Sequence, residues 1–315
     1  MILSASRRTD IPTYYSEWFF NRIRDGYALV RNPMNYHQLS KIKITPDVVD
    51  GIVFWTKNPI PMLPRLGELS EYTYYFQFTL NSYADDIEPS IPLKSKYIIP
   101  AFQKLSDMIG PERVIWRYDP ILLNDKYSIG YHLKYFANLA KLLHPYTKKC
   151  TFSFIDFYRN TQNNVKGLEL ITLTEEHKLT IAKGLAEIAH SYGLSIDTCA
   201  EDIDLDQFGI THARCVDDRL LGNLLGRTLK VEKDKNQRLS CGCVASVDIG
   251  MYNTCRNGCK YCYANYSPKA VATNSHKHSP TSPVICGEIT NEDTIVERPV
   301  KSCAVCSQQK IFEAE

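Results

Sequence analysis

The first 149 residues contain no cysteine, although the chain holds 11 of them. No apolar run approaches the roughly 20 residues of a membrane span, so a membrane partner is not expected. Charge of one sign is also scarce in net terms. Lys and Arg total 37 and Asp and Glu 35, a formal net charge of +2. That balance excludes a broad electrostatic footprint for nucleic acid or lipid and leaves room only for a local basic groove. Neither G-x-G-x-x-G nor G-x4-G-K-[ST] occurs, and neither H-E-x-x-H nor G-x-S-x-G. Dehydrogenase, P-loop, zinc-protease and serine-hydrolase readings therefore have no motif behind them. The opening MILSASRRTDIP has a short apolar run followed by two arginines, the reverse of a secretory leader. A cytoplasmic location is expected.

What is present is an ordinary globular composition, 44% apolar and 23% charged over 315 residues. This suits one large domain or two smaller ones. The first 200 residues repeat one theme: a short β-branched or aromatic run, a polar cluster, then a helical pattern. The runs are residues 2–6, 52–56, 74–80, 113–117, 151–155 and 194–198. Helical periodicity covers 15–24, 96–109, 131–143 and 175–192, with Tyr192-Gly193 as a helix stop. Strands alternating with amphipathic helices imply a parallel sheet with crossover helices. The expected fold is α/β: a (β/α) barrel, complete or partial, with an open doubly wound sheet as the second choice. Residues 27–44 fit a hairpin instead of a crossover. Phe54, Trp55 and Trp116 read as core.

The polar clusters follow the strands: Arg7-Arg8-Thr9-Asp10, Thr56-Lys57-Asn58, Thr79 with Asn81, Arg117 with Asp119, Asp156 with Tyr158, and Cys199 with Glu201-Asp202. In parallel α/β proteins these strand ends carry the site. A lone Asp there is usually a helix cap. Three arginines and a lysine on one face ask for more than capping. Arg7, Arg8, Lys57 and Arg117 suit carboxylate or phosphate groups. Asp119, Asp156 and Glu201 suit ribose hydroxyls or a substrate amine. The competing reading is ion pairing inside the mouth, Arg117 with Asp119 above all.

Composition shifts near residue 203, which divides the chain into a β/α core, 1–202, and a cysteine-rich segment, 203–315, packed on the barrel mouth. Residues 230–238 read as a solvated charged connector. Residues 267–283 read as a flexible surface loop in which His276 and His278 have no evident partner. Ten cysteines fall between Cys199 and Cys306. In a reducing compartment such clustering favours metal binding or redox work over disulfides. The sharpest pattern is Cys255-x3-Cys259-x2-Cys262. Three thiolates on a tight loop match one face of a [4Fe–4S] cluster, and the next cysteine, Cys286, is 24 residues on. An all-thiolate electron carrier needs a fourth cysteine; three leave one iron open. Gly258 lets the loop bend.

C-x3-C-x-aromatic-C is the signature of radical S-adenosylmethionine enzymes, which this loop resembles. The resemblance implies that Cys255, Cys259 and Cys262 ligate the cluster and that Tyr261 packs against adenine. It implies S-adenosylmethionine at the open iron and a 5′-deoxyadenosyl radical. It also implies an electron donor such as a flavodoxin or ferredoxin. That family carries its motif early in the domain; here it comes last. Residues 245–250 (ASVDIG) are then the strand leading into the loop, with ILSAS beside it, a circularly permuted order. Over nearly its full length the chain resembles the bacterial family called domain of unknown function 1848. SASRRTDIP, FWTKNP, RYDP and CAED carry that resemblance together with the cysteine loop. TKNP and RYDP also resemble segments of spore photoproduct lyase-type radical enzymes.

A second set comprises Cys199, Cys215, Cys241 and Cys243. It suits a second iron–sulfur cluster or a zinc, because a surface C-x-C is chemically awkward unless ligated. Cys286, Cys303 and Cys306 read as incidental thiols. Two other functions compete. One is an electron-transfer or structural metalloprotein, with Cys286 or His276 completing the first site. The other is a nucleic-acid repair enzyme, against which the near-neutral charge counts.

Overall fold

The computed structural model describes residues 1–157 and 159–305, without the side chains of 159 and 160. Tyr158 and Cys306 lie outside the described residues.

The chain starts with β1 (Ile2–Ala5), α1 (Ile11–Tyr14) and α2 (Ser16–Asp25). The expected hairpin follows as β2 (Tyr27–Asn32) and β3 (Asn35–Lys43). Next come β4 (Gly51–Thr56), β5 (Tyr74–Thr79), α3 (Ile99–Ile109), β6 (Val114–Ile121) and α4 (Ile129–Leu143). Then β7 (Lys149–Phe154), α5 (Arg159–Asn164), α6 (Glu175–Ser191) and β8 (Ser195–Thr198) complete the alternation. The cysteine-rich segment adds β9 (Thr211–His212), α7 (Asp218–Leu225), β10 (Val247–Asp248), α8 (Pro268–His276) and β11 (Thr294–Glu297).

One eight-stranded sheet runs β10-β1-β4-β5-β6-β7-β8-β9, every pairing parallel. No pairing joins its outer strands β9 and β10 among the described residues. The architecture is thus a mixed α/β fold on a large parallel sheet. The strand expected at 245–250 is β10, and it pairs with β1 through Leu3↔Val247 and Ser4↔Asp248. The last strand to be made therefore lies beside the first. A second sheet, β11-β3-β2, joins the hairpin to the end of the described chain.

Alternating residues of the strands point to two cores. Ile52, Phe54, Phe76, Phe78 and Trp116 meet the apolar stripes of the helices. Those stripes recur at helical spacing: Phe102 and Leu105 in α3, Phe136, Leu139 and Leu143 in α4, Ile181, Leu185 and Ala189 in α6. The opposite face, through Ile2, Val53, Tyr75 and Ile115, packs on Cys215, Val216, Leu221, Cys241 and Cys243. The cysteine-rich segment thus covers the face of the sheet that the helices leave open. Gly51 permits the closest approach there: a Cβ on it would stand 2.4 Å from Leu221 Cδ2.

Three sequence expectations are corrected. Part of 267–283 is helix α8, because Ser267 Oγ accepts the Ala270 N–H and Pro268 sits in the first turn. Residues 230–238 are not wholly solvated, since Asp234 is buried and pairs with Arg7. Trp55 is only half-buried, and the Arg7 guanidinium lies over its ring at 5.7 Å.

Candidate functional site

Parallel strands deliver their C-terminal ends to one side of the sheet, and there a cavity of about 820 Å³ opens. Small-molecule sites commonly span about 300–1,000 Å³. Its wall includes Arg7 and Arg8 after β1, Lys57 after β4, Arg117 and Asp119 on β6, and Asp156 after β7. Cys255, Cys259 and Cys262 line it, and so do Cys199, Cys215, Cys241 and Cys243. The sequence placed these groups at separate strand ends; the fold brings them around one space.

The Cys255–Cys262 loop is held by polar contacts on every side. Asn265 Nδ2 donates to the Cys255 carbonyl at 2.5 Å, and Asn164 Nδ2 donates to the Cys262 carbonyl at 2.8 Å. Tyr15 Oη donates to the Thr254 carbonyl at 2.6 Å. Asn257 accepts from Tyr14 Oη at 2.7 Å and donates to Asp10 Oδ2 at 3.2 Å. Asp10 also caps α1 and accepts from Thr56 Oγ1 and the Lys57 N–H, so it ties the loop to the ends of β1 and β4. Gly258 has φ +68°, and a Cβ there would stand 3.1 Å from Pro89 Cγ. Only glycine makes this turn against that neighbour without strain.

Burial raises all three thiols from the ordinary cysteine value. Cys255 is pushed further up by Asp10, Cys262 and Cys259. Cys259 rises to about 12, burial and the Glu88 and Cys262 charges outweighing Lys57. Cys262 rises by burial against the opposing pull of two backbone N–H groups and Lys57. Each thiol of the loop is thus within the electrostatic reach of the others.

Glu88 is the hub that sequence reading missed. It is 2% exposed and accepts from Lys57 Nζ at 2.8 Å, from Lys94 Nζ and from Tyr261 Oη. Burial alone would raise this carboxyl, yet the two lysines outweigh it and hold it at about 2. Lys57 rises, because Glu88 and Cys259 overcome its burial; Lys94 falls, because burial and the Lys57 charge prevail. Asn81 Nδ2 donates to Tyr261 Oη at 3.2 Å, and Lys57 Nζ lies 5.2 Å from the centre of the Tyr261 ring. Tyr261 therefore anchors the cysteine loop to the Lys57–Glu88 pair while lining the cavity. Glu88 lies in the long connection between β5 and α3, well beyond the strand's end, so the strand-end rule did not mark it.

The remaining charges are mostly paired. Arg117 Nη2 meets Asp119 Oδ2 at 2.6 Å, and its Nη1 donates to Cys215 Sγ at 2.9 Å. Arg7 Nη2 meets Asp234 at 3.2 Å. Asp156 pairs with Arg238 at 2.7 Å, and burial raises its carboxyl. Among the strand-end cations Arg8 is the most loosely held: its nearest acid, Asp248, is 4.0 Å away, and it lies 5.2 Å over the Tyr252 ring. Asp248, a further residue not foreseen, accepts from Ser4 Oγ, Ser6 Oγ and the Arg7 and Gly250 N–H groups. It fixes the β1–β10 junction from which the cysteine loop departs.

The second thiol set is gathered. Cys199 Sγ and Cys215 Sγ are 3.2 Å apart. Hydrogen bonds from Cys199 and Cys243, with Arg117 beside it, hold Cys215 well below the ordinary thiol value. Cys243 in turn hydrogen-bonds Cys241, which falls to about 6. The C-x-C is not at the surface as expected: Cys241 is 5% exposed and Cys243 2%.

Other expected residues lie elsewhere. Glu201 is buried, accepts from the Phe154 N–H at 2.8 Å and from Lys178 at 3.4 Å, and opens on a neighbouring cleft of about 530 Å³. Neither Cys286 nor His276 is among the residues that line the main cavity. Cys286 is buried with Sγ 3.9 Å from Tyr15 Oη, and His276 is exposed at the end of α8. The Cys303 N–H donates to Asp50 Oδ2 at 2.7 Å, before β4 and so at the other end of the strands. No helix among the described residues is long and apolar enough to cross a membrane.

No curated protein matches the chain. A solved structure from Bacteroides thetaiotaomicron, provisionally assigned as an alpha-L-fucosidase, is 12% identical. That match covers 56% of this chain and 84% of the other, with a TM-score of 0.25, too weak to bear on fold or activity. The family described as Domain of unknown function (DUF1848) matches residues 2–264, and the chain belongs to it.

Proposed function

We propose that the chain is an iron–sulfur enzyme of the radical S-adenosylmethionine type, built on a partial (β/α) barrel. One observation carries the reading: Cys255, Cys259 and Cys262 open onto the same cavity as the strand-end cations, while Cys286 and His276 do not reach it. The donor set suits a [4Fe–4S] cluster with three protein ligands, because three neighbouring cysteines, Cys259 buried and Cys255 and Cys262 half-buried, would repel one another as thiolates unless a cationic iron core held them. Bound there, such a cluster with S-adenosylmethionine would supply the chemistry of a 5′-deoxyadenosyl radical, which would take hydrogen from a substrate once a flavodoxin- or ferredoxin-like donor had given one electron.

The protein's own part is positioning and exclusion of water. Cys255, Cys259 and Cys262 hold the cluster, and Lys57 offsets negative charge beside Cys259 and Cys262. Tyr261 sets the loop through Glu88 and Asn81, and it offers the cavity the part of its ring that Lys57 leaves open. Arg8, loosely paired, is the strand-end cation with most capacity for a carboxylate or phosphate. Arg7 is paired with Asp234 and Arg117 with Asp119, and these pairs orient the wall. An electron-transfer role needs a fourth protein ligand; Cys286 and His276 do not line the cavity, and the four other thiols that do are engaged with one another.

Anaerobic reconstitution, reduction with dithionite and addition of S-adenosylmethionine tests the activity. Chromatography should detect slow release of 5′-deoxyadenosine, abolished in Cys262→Ser. A fully loaded cluster that releases none contradicts the reading.

A further inference from the structure

We infer that Cys199, Cys215, Cys241 and Cys243 form a second, four-thiolate metal centre in the wall of the cavity, taking zinc or an iron–sulfur cluster. The inference stands apart from the first centre and needs none of its chemistry.

Three separated segments converge to make it: the end of β8, the loop after β9 and the C-x-C before β10. All four cysteines line the main cavity. An isolated buried cysteine behaves as a small apolar residue and asks for no polar partner. Here strong donors aim at sulfur. Arg117 Nη1 lies 2.9 Å from Cys215 Sγ, and the Val216 N–H points at Cys243 Sγ at 3.4 Å. A neutral thiol is a weak acceptor, so a buried guanidinium directed at one marks a place for thiolate. Four thiolates around a dication carry net negative charge, which Arg117 offsets from within the core. Gly242 makes the close turn possible: a Cβ there would stand 2.8 Å from the Ala213 carbonyl oxygen. Cys241 also lines the neighbouring 530 Å³ cleft, which gives a metal a route in.

The Cys199–Cys215 contact is tighter than a bound ion would set. As packed here, no group of three or more His, Cys, Asp or Glu among the described residues is disposed to hold a metal ion, so loading requires these side chains to move. Metal–sulfur bonds of about 2.3 Å in a tetrahedron put sulfurs about 3.8 Å apart. The Cys199–Cys215 separation is 3.2 Å, so a single tetrahedral ion spreads that pair by roughly 0.6 Å, a small side-chain adjustment, whereas a cluster, with each thiolate on a different iron, requires a larger one. A disulfide would require about 2.05 Å instead.

The test uses the full chain with Cys255, Cys259 and Cys262 all changed to Ser, which removes the first centre. After anaerobic purification, and again after reconstitution with iron and sulfide or with zinc, metal and labile sulfide are counted. Retention of about one zinc, or about one cluster, per chain is expected, and it is lost when Cys215→Ser and Cys243→Ser are added. Zinc without sulfide marks a structural ion; iron with sulfide and visible absorption marks a second cluster. A folded triple variant, judged by its melting curve, that takes up neither metal overturns the inference. So does an intact mass showing a Cys199–Cys215 disulfide in the anaerobic protein. Should the triple variant not fold, alkylation of the wild-type protein with and without chelator decides. Chelator is expected to expose Cys241 and Cys243, and unchanged labelling contradicts the proposal.

Discussion

At the scale of single residues, the most consequential side chain is Glu88, which no local pattern announced. One carboxylate balances two lysines and receives the Tyr261 hydroxyl from the cysteine loop. Removing it leaves two largely buried ammonium groups without their partner, and breaking such a buried arrangement costs about 3–5 kcal/mol. Glu88→Ala is therefore expected to lower urea-unfolding stability by that order, and to loosen iron retention by the first centre. A variant as stable as the parent would show that solvent already screens both lysines. The strand-end residues were more legible. Arg7, Lys57, Arg117 and Asp119 were found because a parallel sheet puts such positions on one face whatever their partners. Their partners were not legible. Asp234 comes from a stretch that composition marks as solvated, and only the fold carries it to Arg7.

At the scale of elements, α4 shows how the scaffold behind the site responds to acid. His132 is buried between Tyr118 Oη at 2.9 Å and the Leu122 carbonyl at 2.8 Å. The carbonyl can only accept, so Nε2 donates and Nδ1 receives the tyrosine hydroxyl. Burial lowers this histidine from its ordinary 6.5 to about 4, against the opposing effect of the Leu122 carbonyl. The folded state thus favours neutral imidazole, and the unfolded chain binds the extra proton. Stability from this group is complete above about pH 6.5 and is lost as pH falls toward 4, about 3 kcal/mol in all. Unfolding free energies measured from pH 8 to 4.5 should fall less steeply in His132→Asn than in the parent. Identical slopes would place the acid sensitivity elsewhere.

The same scale shows which elements a sequence can announce. Strands β1 and β4 to β8 each had an apolar run and helical punctuation, and β10 was read from ASVDIG. Strand β9 has two exposed residues, Thr211 and His212, and gives no pattern to read. Strand β11 is exposed along its four residues and pairs with β3, more than 250 positions earlier, so only tertiary contact defines it. Helix α8 did carry a start signal in Ser267-Pro268, but its surrounding Ser, Thr and Pro content pointed to a loop.

At the scale of the whole molecule, β10 docks against β1 and so returns the end of the chain to its beginning. The cysteine loop that follows β10 thereby reaches strand ends laid down some 250 residues before it. This is also why the constellation was only half legible. Spacing identifies three thiols that belong together, whereas the wall they face is assembled from β1, β4, β6, β7 and β8. The family shared by this chain covers both parts, from residue 2 to 264, so sheet and loop travel as one unit.

The central claim is an iron with an open coordination position at Cys255, Cys259 and Cys262. Electron paramagnetic resonance of the anaerobically reconstituted, dithionite-reduced protein tests it most directly, recorded with and without S-adenosylmethionine. The account predicts a [4Fe–4S]⁺ signal whose g-values shift when S-adenosylmethionine is added, and which Cys259→Ser eliminates. A cluster signal that is indifferent to S-adenosylmethionine would contradict it and make the loop part of a fully ligated electron carrier.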